Sequence, residues 1–266
     1  MNPGRMERAG GMELNSRADG TQESGYYPVY LSLKSRLCLV VGGGSVGERK
    51  TRSLLRCGAR VRIVAREMTP GLRALCDEDL VTFAGCDYEE AHLDGVDLVF
   101  AATSDRRLNL EIGGQARRRR LWCNMATDPG EGSFIVPSVI ERGPLSIAIS
   151  TGGMSPALAR LIRERLDREF GPEWALFLRL MGSLRKAIQL KGFESDENQE
   201  IFRKIAGLPL LDRIRDDQRT EALHDTMEAC RPLLDWNELN QIWDEIWKPF
   251  SLSSPRSATP AGPSGT

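Results

Sequence analysis

The chain has 266 residues, 41% of them apolar, enough to bury a sizeable core in one large domain or two modest ones. Its 36 basic residues nearly balance 37 acidic ones, a formal net charge of -1, so global charge gives no reason to expect nucleic acid as a partner. No apolar run approaches the roughly 20 residues of a membrane span, and the expectation is a cytoplasmic protein with neither nucleic-acid nor membrane partner.

Residues 1–25 are rich in Gly, Arg and Glu, lack the apolar stretch of a signal peptide, and read as a disordered leader. From Tyr26 onward apolar runs alternate with helical patterns, the mark of a parallel sheet flanked by helices. "RLCLVV" (36–41) predicts a buried strand, and "SVGERKTRSLLRCG" a helix with Val46, Leu54 and Leu55 on one face and Gly58 as its stop. Strands follow over 60–65, 80–85, 97–103 and 121–126, with a helix over 105–120 before the last. That spacing is the one expected of βα units, so residues 26–137 read as a Rossmann-type domain.

The pattern changes after "TDPGEG". "SFIVP" (133–137) and "LSIAIS" (145–150) read as two more strands separated by the turn Glu141-Arg142-Gly143-Pro144. Ser155 is placed to cap the next helix, Pro156 suits its first position, and Gly171 with Pro172 stops it. A small α+β unit over 138–172 is therefore expected. Residues 173–250 carry apolar side chains at three- and four-residue spacings and predict a helical C-terminal region, while 251–266, rich in Ser, Pro, Ala and Gly, read as a disordered tail. The fold class is α/β.

Six cysteines contain no C-x-x-C pair, and with only His92 and His224 beside them they offer no metal site. They read as reduced thiols, several of them in or beside apolar runs. The reactive group is thus expected to be borrowed, and Gly42-x-Gly44-x-x-Gly47, between a strand and a helix, is where it would be held. Gly42 allows the tight turn, Gly44 close approach of a pyrophosphate, and Gly47 close packing of helix on strand, while free N–H groups at the helix start bind the phosphate charge.

The second strand ends Val64-Ala65-Arg66-Glu67, an arginine ahead of the acid that would bond ribose hydroxyls, which favours neither NAD nor NADP. Thr103 ends the fourth strand across the switch point and is expected to line the site, with Asp105 the cap of the next helix. Arg117–Arg120 closes that helix as a solvated, dipole-complementing run. Thr127 and Asp128 follow the fifth strand. Asp128 can accept a proton there if burial raises its pKa, or it can simply begin a turn with Pro129 and Gly130. Gly152-Gly153-Met154-Ser155 precedes a helix, where it can either hold an anion or only cap.

Taken in order, "VVGGGSVGERK", "DLVFAATSDRRLN", "SFIVPSVIERGPLSIAIS" and "STGGMSPALARLIRE" resemble the precorrin-2 dehydrogenases, both stand-alone enzymes and the N-terminal module of siroheme synthase. The resemblance covers about residues 26–170 and fades beyond. It implies NAD-dependent oxidation of precorrin-2 to sirohydrochlorin by a homodimer paired through the small α+β unit. It also implies cofactor contacts at Gly42, Gly43, Gly44, Ser45, Val46, Gly47, Arg66, Glu67 and Thr103, and substrate contacts at Asn124, Gly152, Gly153 and Ser155. One departure stands out. Where many members read N-V-V-D with a catalytic aspartate, this chain reads Asn124-Met125-Ala126-Thr127, so the catalytic positions fall on Thr127 and the adjacent Asp128. The alternatives are a bifunctional enzyme that also inserts Fe2+ or Co2+ into sirohydrochlorin, and a non-catalytic NAD-sensing module.

Overall fold

The computed structural model describes residues 25–192, 195–231 and 233–253. The expected leader, but for residue 25, and the expected tail beyond residue 253 lie outside the described residues. The chain divides into two compact units, Met1–Ser32 and Leu33–Thr266. Residues 25–32 of the first form no helix or strand.

In the second unit five parallel strands, β1 (Leu37–Gly43), β2 (Arg60–Met68), β3 (Val81–Gly85), β4 (Leu98–Ala101) and β5 (Trp122–Met125), lie in the order β3-β2-β1-β4-β5. Cys38, Leu39, Val40 and Val41 of β1 are all buried, as an uninterrupted apolar run demands when both faces of a parallel sheet are covered. Helices α1 (Ser45–Arg56) and α2 (Pro70–Asp77) cover one face, packing Leu54, Leu72 and Leu75 on Val40, Ile63 and Phe100. On the other face α3 (Arg106–Arg118) packs Ile112 and Ala116 on Leu39, Val99 and Met125. The order reverses between β1 and β4, which opens a crevice at the strands' carboxyl ends.

One expected strand is displaced. "SFIVP" makes no ladder; the strand begins after it, as β6 (Ser138–Arg142), antiparallel to β7 (Leu145–Ile149). Pro137 has no N–H to give a ladder, and the segment is held by β5 instead. Ser133 Oγ accepts from the Cys123 N–H at 2.7 Å, Asn124 Nδ2 donates to the Phe134 carbonyl at 3.0 Å, and the Phe134 ring meets Phe100 edge-on. The hairpin packs on α4 (Pro156–Glu169), whose cap is Ser155 as expected.

Beyond it α5 (Glu173–Leu190), α6 (Ser195–Ala206), α7 (Leu210–Arg215), α8 (Arg219–Cys230) and α9 (Trp236–Ser253) share a separate core around Leu180, Leu184, Ile188 and Trp243. All six cysteines are free. Cys38, Cys123 and Cys230 are buried, and burial pushes their thiols up to about 11, whereas Cys57 and Cys86 are exposed. Among the described residues no helix is long and apolar enough to cross a membrane.

Candidate functional site

A cleft of about 1310 Å³ opens at the switch point, lined by Gly42–Val46, by Arg66 and Glu67 at the end of β2, and by Thr103 after β4. Its floor is backbone. Gly42 adopts φ +118°, and a Cβ there would fall on the Ala102 carbonyl. A Cβ on Gly47 would fall on the Gly42 carbonyl, so only glycine lets α1 start this close to the turn. Gly44 differs: a Cβ there meets nothing within 4 Å, so this residue faces the open cleft. It is the N-cap of α1 and supplies no side-chain cap, which leaves the N–H groups of Ser45, Val46 and Gly47 without acceptors in the helix. Free donors at a helix start beside open space fit a dinucleotide diphosphate. Gly43 is needed for a different reason, since a Cβ on it would strike the Glu67 carbonyl of β2.

At the β2 end of the cleft Arg66 is tied to Asp87, Nε to Oδ1 at 2.6 Å. The cleft also contains Glu67, so carboxylates rather than a free guanidinium face the place where ribose hydroxyls would lie. Asp87, on the loop after β3, carries no motif that sequence reasoning could have seized on. At the other end Thr103 is fixed through Asn109, which is fully buried. Thr103 Oγ1 donates to Asn109 Oδ1 at 2.7 Å, and Asn109 Nδ2 donates to the Thr103 carbonyl at 2.9 Å and to Thr127 Oγ1 at 3.2 Å. One amide thus joins the loops after β4 and β5. Its signal in the sequence was slight, a polar residue one turn beyond the helix cap. Asp105 is that cap, accepting from the Arg107 and Leu108 N–H groups.

Asp128 does not meet the condition set for a proton acceptor near neutrality. Its side chain is 17% exposed and gripped by Arg106, whose Nη2 and Nε donate to Oδ1 at 2.7 and 2.9 Å. This bond, with a further one from Thr127, holds the carboxyl below the usual aspartate range instead of raising it. Neither Thr127 nor Asp128 lines this cleft or the smaller cavity beside it, although their neighbours Ala126 and Pro129 line the latter.

That smaller cavity, about 300 Å³, lies where β5 ends, between α1 and the α+β unit, and Val46 borders both spaces. Asn124 and Gly153 line it. Gly152 and Gly153 turn the chain into α4 with φ of +62° and +84°. Ser155 Oγ is taken by its capping bond from the Leu158 N–H, and the Gly152 N–H by Ser150 Oγ. The charged side chains among the described lining residues are Arg49 and Lys50, neither of which sequence reading singled out. The Arg117–Arg120 run is exposed, with Arg119 paired to Glu90 and Asp94 and Arg117 to Glu131.

Residues 29–138 match the family model described as "Putative NAD(P)-binding", and residues 142–169 the one described as "Sirohaem biosynthesis protein central". Siroheme synthase 2 of Klebsiella pneumoniae subsp. pneumoniae is 36% identical over 204 residues, 76% of this chain and 44% of that protein. The siroheme synthase of Citrobacter koseri is 37% identical over 180 residues, 68% of this chain and 39% of that protein. The chain therefore spans less than half the length of these relatives. Among solved structures, SirC, a precorrin-2 dehydrogenase, superposes with a TM-score of 0.63 at 25% identity, over 84% of this chain and 100% of that one. With the NAD(P)-binding and sirohaem central segments in tandem, on a fold shared with SirC, the chain is similar to part of the siroheme synthases and to a precorrin-2 dehydrogenase.

Proposed function

We propose that the protein is a cytoplasmic, NAD-dependent dehydrogenase that oxidises precorrin-2 to sirohydrochlorin on the route to siroheme. The observation that carries this reading is the junction at Val46. A cleft floored by free N–H groups for a diphosphate meets a cavity whose charge, from Arg49 and Lys50, suits a substrate bearing several carboxylates. NAD, bound along Gly42–Gly47, supplies a two-electron acceptor. Gly42, Gly43, Gly44 and Gly47 shape the turn, Ser45 and Val46 donate N–H groups, and Glu67 bonds ribose hydroxyls. Arg66, engaged by Asp87, is not free for a 2′-phosphate, which favours NAD over NADP. Thr103 sits toward the nicotinamide end.

Asn124 and Gly153 face the substrate from inside the smaller cavity, with Gly152 and Ser155 behind them shaping the turn. Thr127 and Asp128 hold the loop at its rim, where an ionised Asp128 positions rather than accepts a proton. Residues 26–137 thus serve the cofactor, 138–172 the substrate and a second subunit, and 173–250 form a helical domain of their own.

A homodimer is part of this proposal. At about 300 Å³ the cavity is at the low end of small-molecule sites, roughly 300–1,000 Å³, while a tetrapyrrole belongs at the high end. Beside it Met154 is 90% and Leu161 62% exposed, with Val136 and Leu158 also uncovered, and a second copy that covers these side chains completes the wall. Metal insertion is the weaker reading, because Arg49 and Lys50 repel a divalent cation from this cavity.

The test is anaerobic incubation of purified protein with precorrin-2 and NAD or NADP. NADH absorbance should appear, faster than NADPH, from a species that elutes as a dimer. No absorbance change with either cofactor would sink the reading.

A further inference from the structure

Val46, Lys50 and Leu54 lie one turn apart on the face of α1 turned to the sheet, so Lys50 occupies a position where the helical period asks for an apolar side chain. It is half-buried, and its Nζ lies 5.9 Å from the centre of the Phe100 ring. Among the described residues no carboxylate or hydrogen-bond acceptor pairs with that ammonium. From its own helix Arg49 faces the same cavity. The sheet presents Phe100 and Asn124, and the cover formed by residues 135–138, β7 and α4 presents uncharged residues.

Burial and a neighbouring cation both disfavour the charged amine. The attraction of the Phe100 ring, at the limit of about 6 Å where such contacts count, is too weak to reverse them. Burial first and Arg49 second bring the ammonium down to about 8. Val46, four residues or about 6 Å along the axis from Lys50, borders the cofactor cleft as well. The amine is thus carried on the same helix as the diphosphate site, on the side where β5 ends.

We propose that Lys50 is the proton acceptor of the dehydrogenation, the task that Asp128, held ionised by Arg106, is poorly suited to perform. The proposal rests on the dehydrogenase reading. A C–H bond of the reduced macrocycle breaks and its electron pair passes with the hydrogen to NAD. An N–H bond of the macrocycle breaks with it, its pair stays in the ring as a new π bond, and its proton passes to the lone pair of Lys50 Nζ. The macrocycle loses two electrons, NAD becomes NADH, and the Lys50 ammonium returns its proton to water.

The full-length protein and the variants Lys50→Arg and Lys50→Gln test this. Wild-type kcat/KM for precorrin-2 should rise with pH through an inflection near pH 8, the value of the unliganded amine. Both variants should lose about 100-fold or more in kcat, together with that inflection. The KM for precorrin-2 of Lys50→Arg, which keeps the charge, should stay within about threefold, and an unchanged Kd for NAD shows that both variants are folded. Independently of turnover, carbon-13 NMR of lysine-labelled protein without ligands should contain one Cε resonance that titrates near pH 8 and is missing from Lys50→Arg.

A raised KM with kcat retained makes Lys50 a carboxylate ligand only and overturns the proposal. So does titration of Lys50 at the usual lysine value of about 10.4. Turnover by wild type and both variants alike sinks the role of Lys50 alone, whereas no turnover by wild type sinks the dehydrogenase reading and this role with it.

Discussion

At Val46 a cleft of about 1310 Å³ floored by backbone N–H groups meets a cavity of about 300 Å³ whose charge comes from two side chains, Arg49 and Lys50. The larger space must hold an anionic diphosphate, yet the side chains around it include Glu67, Asp87, Asp105 and Glu111 against only Arg66 and Arg107. It can bind an anion all the same because the first turn of α1 supplies the positive end of a helix and three unpaired donors. The smaller space also borders a helix start, that of α4 at Gly153 and Pro156, but there the Ser155 side chain already takes one donor, and two whole charges are added. A site built from backbone constrains where a Cβ can be. A site built from side chains constrains only which side chain stands there.

Gly44→Asp is the sharpest break of that contrast. Its Cβ enters open space, so the fold should survive, but the carboxylate meets the diphosphate head on. Calorimetric titration should show NAD affinity down by about 100-fold or more, about 2.7 kcal/mol, with the thermal midpoint little changed. Retained affinity would mean that the diphosphate does not lie over α1.

The smaller cavity predicts the opposite trade. Lys50 has its folded-state pKa lowered, so folding opposes its charge; the cost is full below about pH 8 and is relieved as pH rises toward the unfolded value of about 10.4. Lys50→Met should therefore gain about 1–2 kcal/mol at pH 7, the full shift being discounted for partial exposure. Urea denaturation should show this gain fading by about pH 10.

The same contrast explains what was legible in the sequence. The central strands β1 and β4 showed as apolar runs because both their faces are covered, and Gly42 and Gly47 showed because any Cβ there meets a carbonyl. Ser155 and Asp105 showed because capping demands a short polar side chain. "SFIVP" misled because an apolar run held by side-chain bonds from β5 has the composition of a strand without its ladder. Asp87, Asn109 and Arg106 act through partners 18 to 22 residues away or on another element, and no local pattern encodes that. Lys50 was legible in principle, as a charge on an apolar stripe, but the glycine motif that ends three residues before it is the stronger local signal.

Within the cleft, Asp87 decides whether Arg66 is free. Asp87→Ala removes the 2.6 Å bond and leaves a guanidinium where a 2′-phosphate would lie. The ratio of kcat/KM for NADP over NAD should rise about tenfold, about 1.4 kcal/mol, smaller than the effect at Gly44 because the pair is exposed and screened. An unchanged ratio would place the ribose away from β2.

The smallest effect is expected at Asp128, where the loop between the two spaces is pinned. Its pKa is lowered by Arg106 and then Thr127, so its contribution to stability is fully present above the usual aspartate value of about 3.9. That contribution is lost as pH falls through the lowered folded value. Asp128→Asn should thus be slightly less stable than wild type at pH 7, with the gap closing in strongly acidic urea titrations. If the residue only positions the Thr127 loop, kcat should fall by less than about tenfold and the inflection near pH 8 assigned to Lys50 should stay. Loss of that inflection in Asp128→Asn, with Lys50 still titrating in the free protein, would move the proton acceptor from the side-chain cavity to its rim.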